Sequence, residues 1–456
     1  MFVATTVVAA DEAPPKFVGS SSCATALCHG GLSGRKVVGA EFPLWAARDP
    51  HSRAYSVLLN DRSKQMAARL TLSNKTAHES AECLNCHSPA TALNAPTITD
   101  RAPPAGVDCE RCHGAAELWL TPHKRKDWKA RSAEEKSRLG FTNLADVLTR
   151  AKLCTECHVG GPERDVNHTL IAAGHPRLFF EFSTFHANWP KHWPRKTDEN
   201  NHPVSVAKPN APASPGSLFE AKLWAVGQVI TAQSSLKLLS HRAAKVQAWP
   251  EFAEWNCYAC HHDLAPPNLW KSPAPEKRLR NSFGWNSWPY AMLEPLARQT
   301  HGPDLNGPTS PISGILQLRP RFTKPLPPAE IIAADAAAAA KSLQAWAEQF
   351  NQAETAQKHL APSSLESLRQ SLVSKDAQQL VARDWDSATQ VFVSIIAVRY
   401  AEKAARGVPA AADEPSDKQI KALLDTMQKT LDFQDGHRSP RQSELRHLDT
   451  LLNTPP

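Results

Sequence analysis

Two short stretches, Cys83-Leu84-Asn85-Cys86-His87 and Cys109-Glu110-Arg111-Cys112-His113, decide how this chain of 456 residues folds. Each stretch places two thiols one helical turn apart, so both can form thioether bonds to the two vinyl groups of one porphyrin. The histidine that follows the second thiol is then held under the iron as its proximal ligand. The spacing therefore predicts that each stretch attaches one haem covalently.

The same pattern occurs three more times along the chain. The stretches Cys154–His158 and Cys257–His261 repeat it, and Cys23–His29 is a version with two extra residues between the cysteines. All ten cysteines of the chain are used in these five pairs. The sequence thus predicts five covalently bound haem c groups. Their attachment residues are Cys23, Cys28, Cys83, Cys86, Cys109, Cys112, Cys154, Cys157, Cys257 and Cys260. Their proximal iron ligands are His29, His87, His113, His158 and His261.

Zinc sites or disulfides are the alternatives for such cysteine pairs. The two pairs between Cys83 and Cys112, taken alone, have a spacing that a zinc ribbon could use. Neither alternative explains why a histidine follows the second cysteine in every pair. The full set of motifs favours haem.

Histidine is also the favoured sixth ligand of these irons. The chain has four methionines, and of its 19 histidines 14 remain after five are assigned as proximal ligands. Bis-histidine ligation is therefore expected, and it lowers the reduction potential relative to Met/His ligation. His168 and His175 lie seven residues apart, which on a helix returns them to one face. His262 directly follows His261, so it is expected to bind a neighbouring haem. The candidate distal ligands are His51, His123, His168, His175, His192 and His262.

Composition limits the class of protein and its compartment. The net charge of +7 is modest, and it is expected to balance haem propionates rather than to bind nucleic acid. Haem is attached to such motifs outside the cytoplasmic membrane, so the protein is expected in the periplasm or at the cell exterior. Residues 1–10 resemble the end of a signal sequence. No apolar run is long enough for a transmembrane segment.

Hydrophobic spacing predicts a mainly α fold with little regular β structure. A lead-in at 1–16 precedes a pentahaem region at 17–327 and a haem-free helical bundle at 328–456. A helix is expected to begin near Phe42 and to contain His51, and Leu218–Trp249 gives the longest helical pattern. Residues 264–328 are rich in proline and predict extended chain. In the bundle, four helical segments are expected, and Ser363-Ser364-Leu365-Glu366 has the pattern of a capping box.

Part of the chain resembles a known family. Phe17-Val18-Gly19-Ser20, a Trp45…His51 segment and Gly106-Val107-Asp108-Cys109-Glu110 resemble the multihaem cytochrome superfamily of hydroxylamine oxidoreductase and its tetrahaem electron-acceptor cytochrome. The resemblance covers residues 17 to about 190. It implies that His51 and His123 are distal ligands that reach across to other haems. Members of the family often leave their second haem, here that of His87, without a sixth protein ligand. The expanded first motif, the fifth haem and the helical bundle depart from the family.

Three functions fit these features. The leading hypothesis is electron transfer between redox partner proteins through closely packed haems. An alternative is an oxidoreductase that acts on a small nitrogen or sulfur species at one open haem. Against it, no motif ends in lysine, and no tyrosine has a recognisable crosslinking context, so no catalytic residue is assigned. A third hypothesis is a haem subunit that assembles with partners through its C-terminal bundle.

Overall fold

The structure is a computed structural model of the chain. It describes residues 14–31, 38–70, 75–89, 106–193, 217–245, 249–257, 284–374, 377, 380–381 and 383–408. The predictions that concern Cys260, His261, His262 and the fourth segment of the bundle lie outside these residues.

Helices and irregular connections make up the described chain, and no β-strand occurs within it. The mainly α prediction is therefore confirmed. The described α-helices are α1 Glu41–Arg48, α2 Asp61–Arg69, α3 Ala81–His87, α4 Cys109–His113, α5 Ala133–Arg138, α6 Val147–His158, α7 His168–Ala173, α8 Phe182–Asn188, α9 Phe219–Ala244, α10 Leu293–His301, α11 Ser313–Leu318, α12 Ala329–Asn351, α13 Ala353–His359, α14 Pro362–Leu372 and α15 Trp385–Arg406. The described 3₁₀ helices are Ser20–Ser22, Pro50–Arg53, Ser56–Leu59, Ala77–Glu79, Pro122–Lys124, Lys126–Ala130, Phe252–Glu254 and Arg319–Thr323.

The chain forms two compact units. The first comprises Met1–Asn60 and His78–Leu144, and the second comprises Asp61–Ala77 and Ala145–Pro456. The first three cysteine motifs belong to the first unit, and the last two belong to the second. These units do not follow the expected division at residue 328. That division concerned haem content, and it stays a prediction.

In the second unit, α9 is the central helix. Its apolar residues are spread around the whole circumference, which is typical of a helix enclosed on all sides. It packs against α6, α8, α12 and α15, and one continuous hydrophobic core includes Trp224 of α9, Trp346 of α12 and Phe392 of α15. Trp224 donates its indole N–H to Ser394 Oγ of α15 at 3.1 Å. The helices after residue 328 therefore share their core with the region that carries the last two motifs.

Several local predictions were wrong, each for an identifiable reason. α1 ends at Arg48, because Asp49 is extended before Pro50, so His51 lies in the 3₁₀ turn that follows and not in the helix. α7 ends at Ala173, because Gly174 takes φ 124°, so His175 lies beyond the helix and the two-turn spacing from His168 does not apply.

The C-terminal half shows further differences. α10 and α11 lie within the stretch that was expected to be extended. α14 begins at Pro362, which favours the first helical position, so the expected capping box does not form. α9 agrees with the longest predicted helix but ends at Ala244.

Candidate haem-binding sites

Three short motifs of the described chain lie on helices. Cys83 and Cys86 lie on α3, Cys109 and Cys112 lie on α4, and Cys154 and Cys157 lie in the last turn of α6. In each case the motif histidine is the last residue of its helix. The two thiols of a pair are thus one turn apart on one face, as the sequence predicts.

The expanded first motif is a loop and not a helix. The backbone N–H of His29 donates to the carbonyl of Cys23 at 3.2 Å, which closes the loop on itself. The two additional residues bulge outward, and Leu27 is 99% exposed. The loop therefore brings Cys23 back to His29 and Cys28 despite the longer spacing.

The first three motifs contact one another within the first unit. The Cys109 thiol donates a hydrogen bond to Cys23, which lowers the pKa of Cys23 to about 7 and raises the pKa of Cys109. Arg111 of the third motif donates to the backbone carbonyl of Asn85 in the second motif. Residues of different motifs are thus near neighbours within the first unit.

A buried carboxylate holds the first motif to the third. Glu110 lies between the two cysteines of α4 and is 1% exposed. Its oxygens accept from the backbone N–H groups of Val18 at 3.0 Å, Gly19 at 2.6 Å and Ala116 at 2.8 Å. Sequence reasoning noted both segments but missed this link, which joins residues more than 90 positions apart.

Five predicted ligand histidines share one hydrogen-bonding arrangement. In each, Nδ1 lies between 2.6 and 2.9 Å from a carboxylate or carbonyl oxygen. Histidines that bind a metal through one ring nitrogen nearly always donate the other N–H to such an oxygen, which fixes the ring orientation. The pairs are His29 with Glu41, His51 with Asp49, His87 with the Ala54 carbonyl, His123 with the Leu120 carbonyl, and His175 with the Pro176 carbonyl.

The imidazole rings of His29 and His123 lie near each other and nearly parallel. Their ring centres are 6.2 Å apart and their planes differ by 13°. A metal–imidazole bond is about 2 Å long and the nitrogen lies about 1 Å from the ring centre, so two imidazoles across one metal have centres about 6 Å apart. The observed separation of the ring centres is close to that spacing, so the two imidazoles are candidates for the opposite ligands of one iron. Burial lowers the pKa of His123, which favours the neutral imidazole that a metal needs.

The surroundings of His123 also fit a porphyrin. Trp119 and Trp128 contact the imidazole edge to face, with ring centres 5.4 and 6.4 Å away. The indole N–H of Trp119 is buried and has no hydrogen-bond partner in the described structure. A buried donor of this kind is costly unless it is satisfied, and a haem propionate would satisfy it.

The other predicted ligands lie at separate places. Val107 donates its N–H to the carbonyl of His51 at 2.9 Å, so His51 is tied to the chain that leads into the third motif. His168 begins α7, and His192 packs edge to face against Trp189 and Trp193. The ring of His158 packs against Phe180 and Phe185, with centres 4.9 and 5.3 Å away.

His186 is excluded as an iron ligand through Nε2. That nitrogen lies 2.7 Å from Nη1 of Arg150, from which it accepts a hydrogen bond. Burial, with the nearby cations of Lys191 and Arg150, lowers the pKa of His186 to about 2. The side chain is a neutral acceptor inside the second unit.

Residues 22–114 match a family model described as cytochrome c554 and c-prime. The matched segment contains the first three motifs, and it supports the class of a c-type cytochrome with covalently bound haem c that takes part in electron transfer. No curated protein and no solved structure matches the chain significantly. Within the described residues, none of the helices has the length and hydrophobicity that crossing a membrane requires.

Proposed function

We propose that this chain is an exported pentahaem c-type cytochrome that passes single electrons between redox partner proteins. The observation that carries the proposal is the shared arrangement of His29, His51, His87, His123 and His175. Since Nδ1 of each ring is held by an oxygen, Nε2 is the nitrogen directed to a metal. Two of these residues are motif histidines, and three are predicted distal ligands. Bis-histidine ligation needs one histidine of each kind at every iron.

The haem of the first motif has the best-supported axial pair. His29 would bind one face of the iron and His123 the other. Glu41 accepts from His29 and thereby makes the imidazole a stronger electron donor, which stabilises the oxidised iron. Both side chains belong to the first unit, so the pair depends on the fold of that unit alone.

Close packing of the haems follows from contacts between the motifs. Cys23 reaches Cys109, and Arg111 reaches the backbone beside Cys86. These residues would hold their haems near one another, and bound haem would supply the one-electron chemistry. The chain itself orients each imidazole, keeps water from the buried edges and tunes the potentials through hydrogen bonds and burial.

Export and partner binding belong to the same proposal. Haem of this type is attached outside the cytoplasm, and the proposed location is the periplasm or the cell exterior. The redox partners would dock where haem edges approach the surface. Assembly through the helices after residue 328 is a further part of the proposal, and the relation to hydroxylamine oxidoreductase rests on the sequence resemblance.

Carbon monoxide binding distinguishes the electron carrier from an enzyme with an open haem. We expect the reduced wild-type protein at neutral pH to show no shift of its Soret band when carbon monoxide is added. A His123→Ala variant is the positive control, because it removes one proposed sixth ligand. His301→Ala replaces a histidine that is not a predicted ligand, and it is the negative control. A shift worth one haem in the wild type would contradict the carrier and favour the oxidoreductase, with the haem of His87 examined first.

A further inference from the structure

The second unit contains a cavity of about 680 Å³ beside the fifth cysteine motif. Pockets for cofactors and other small molecules have volumes of about 300–1,000 Å³. Cys257 lies in the wall, and so does His168 from the first turn of α7. Much of the remaining wall is aromatic and comes from Phe179, Phe180, Phe252, Trp255, Trp288 and Tyr290.

His168 is fixed to the segment that leads into Cys257. The carboxylate of Glu251 accepts from the backbone N–H of His168 at 2.7 Å and from that of Ala253 at 2.9 Å. The ring of Phe252 contacts the imidazole of His168 edge to face, with centres 5.8 Å apart. These contacts hold His168 close to the segment that precedes Cys257, although 89 positions separate the two residues in sequence.

The wall of the cavity has the groups that a haem needs. Apolar aromatic rings suit the faces of a porphyrin. Thr231 is 5% exposed, and its hydroxyl has no hydrogen-bond partner in the described structure. Arg177 and Arg242 add positive charge near the cavity, and each is already paired with a carboxylate, that of Asp386 or those of Asp165 and Glu254. The site can thus accept an apolar ring with polar edges, and the arginine charges in its wall stay paired with carboxylates.

We infer that His168 is an axial ligand of the haem attached at Cys257, an assignment that rests on the proposed function. In sequence, His168 is nearer to the fourth motif. Val159, which follows that motif, lines the cavity, but His158 itself does not, and its ring packs against Phe180 and Phe185. The cavity thus joins His168 to the fifth motif. The proximal histidine of that motif, His261, lies outside the described residues.

The competing ligand in this region is His241 near the end of α9. Its Nε2 is buried without a hydrogen-bond partner, and its side chain is held by the backbone of Pro162. It does not line the cavity. His241→Ala is therefore the matched variant against which His168→Ala is compared.

The test uses the full-length, haem-loaded protein and four variants. In His168→Ala we expect the wild-type haem count by mass, conversion of one haem from low spin to high spin by electron paramagnetic resonance, and recovery of the low-spin signal when imidazole is added. His168→Met should stay low spin and raise the midpoint potential of that haem. The packing control Phe252→Leu should keep every haem low spin, and in His241→Ala the potential that His168→Met raises should keep its wild-type value.

Two results would overturn the assignment. One is a full haem count with all haems low spin in His168→Ala. The other is conversion in His241→Ala and not in His168→Ala. If His168→Ala does not fold, His168→Met decides, and an unchanged set of potentials in that variant contradicts the inference. Wild-type protein without covalent haem would instead contradict the proposed function itself.

Discussion

Glu110 is the residue whose replacement tests the architecture of the first unit. Its buried carboxylate accepts from the backbone N–H groups of Val18, Gly19 and Ala116, so it joins the start of the chain to the third motif. Glu110→Ala removes all three acceptors at once. The first motif would then be held less firmly against α4.

The size of the effect follows from the exposure of the three donors. A buried donor that loses its acceptor costs about 1–3 kcal/mol. Ala116 is fully buried and cannot turn to water, whereas Val18 is 36% exposed and can recover part of the loss. We therefore expect Glu110→Ala to lower the free energy of unfolding by about 3 kcal/mol.

Urea unfolding followed by haem absorption measures this difference, and Glu117→Ala is the matched control. The exposed side chain of Glu117 accepts from the backbone N–H of Lys16 at 2.8 Å, so the side chain links the same two segments through one surface hydrogen bond, and the backbone hydrogen bond from Glu117 to Lys16 remains in the variant. Its loss should cost less than about 0.5 kcal/mol. The assignment of Glu110 as the anchor would be refuted if the two substitutions had equal effects, or if Glu110→Ala lowered the free energy of unfolding by less than about 0.5 kcal/mol.

Three further predictions concern single side chains. His123→Ala should convert one haem from low spin to high spin in the visible spectrum, and an unchanged spectrum would remove His123 from the ligand set. Asp386→Ala removes the buried carboxylate that pairs with the Arg177 guanidinium and should lower the free energy of unfolding by about 3–5 kcal/mol in a denaturant titration; an effect below 1 kcal/mol would count against a shared core. Burial holds the pKa of His186 near 2 in the folded protein, whereas the ordinary pKa of histidine is 6.5. Below pH 6.5 the unfolded chain therefore binds one more proton than the folded protein. The free energy of unfolding should then fall by up to about 1.4 kcal/mol for each pH unit below 6.5. His186→Gln should remove that part of the slope in unfolding curves measured between pH 7 and 4, and an identical slope in the variant would contradict the pKa argument.

The helical form of the short cysteine motifs and the longest helix could be predicted because they depend on residues close together in sequence. A Cys-x-x-Cys-His run carries its own geometry, and the apolar spacing of α9 shows its helix directly. Helix ends were predicted less well, since Pro50, Gly174 and Pro362 each moved a boundary through local backbone preferences. The Asp49-Pro50-His51 sequence held a usable signal, because aspartate two residues before histidine can accept from both its backbone N–H and its Nδ1.

The pairing of distant residues could not be predicted from spacing. His29 lies near His123, and His168 shares a cavity wall with Cys257, because segments distant in sequence pack together. The Glu110 anchor and the contacts of α9 with the last helices have the same origin. Such contacts depend on tertiary packing, which hydrophobic periodicity in one segment does not encode.

The central claim is that the five cysteine pairs each attach one haem, and the intact mass of the denatured protein tests it most directly. Thioether bonds survive denaturation, so the mass should exceed that of the mature polypeptide by five haems. A mass with four haems and free thiols at Cys23 and Cys28 would contradict attachment at the expanded first motif. A mass equal to the bare polypeptide would contradict the account as a whole.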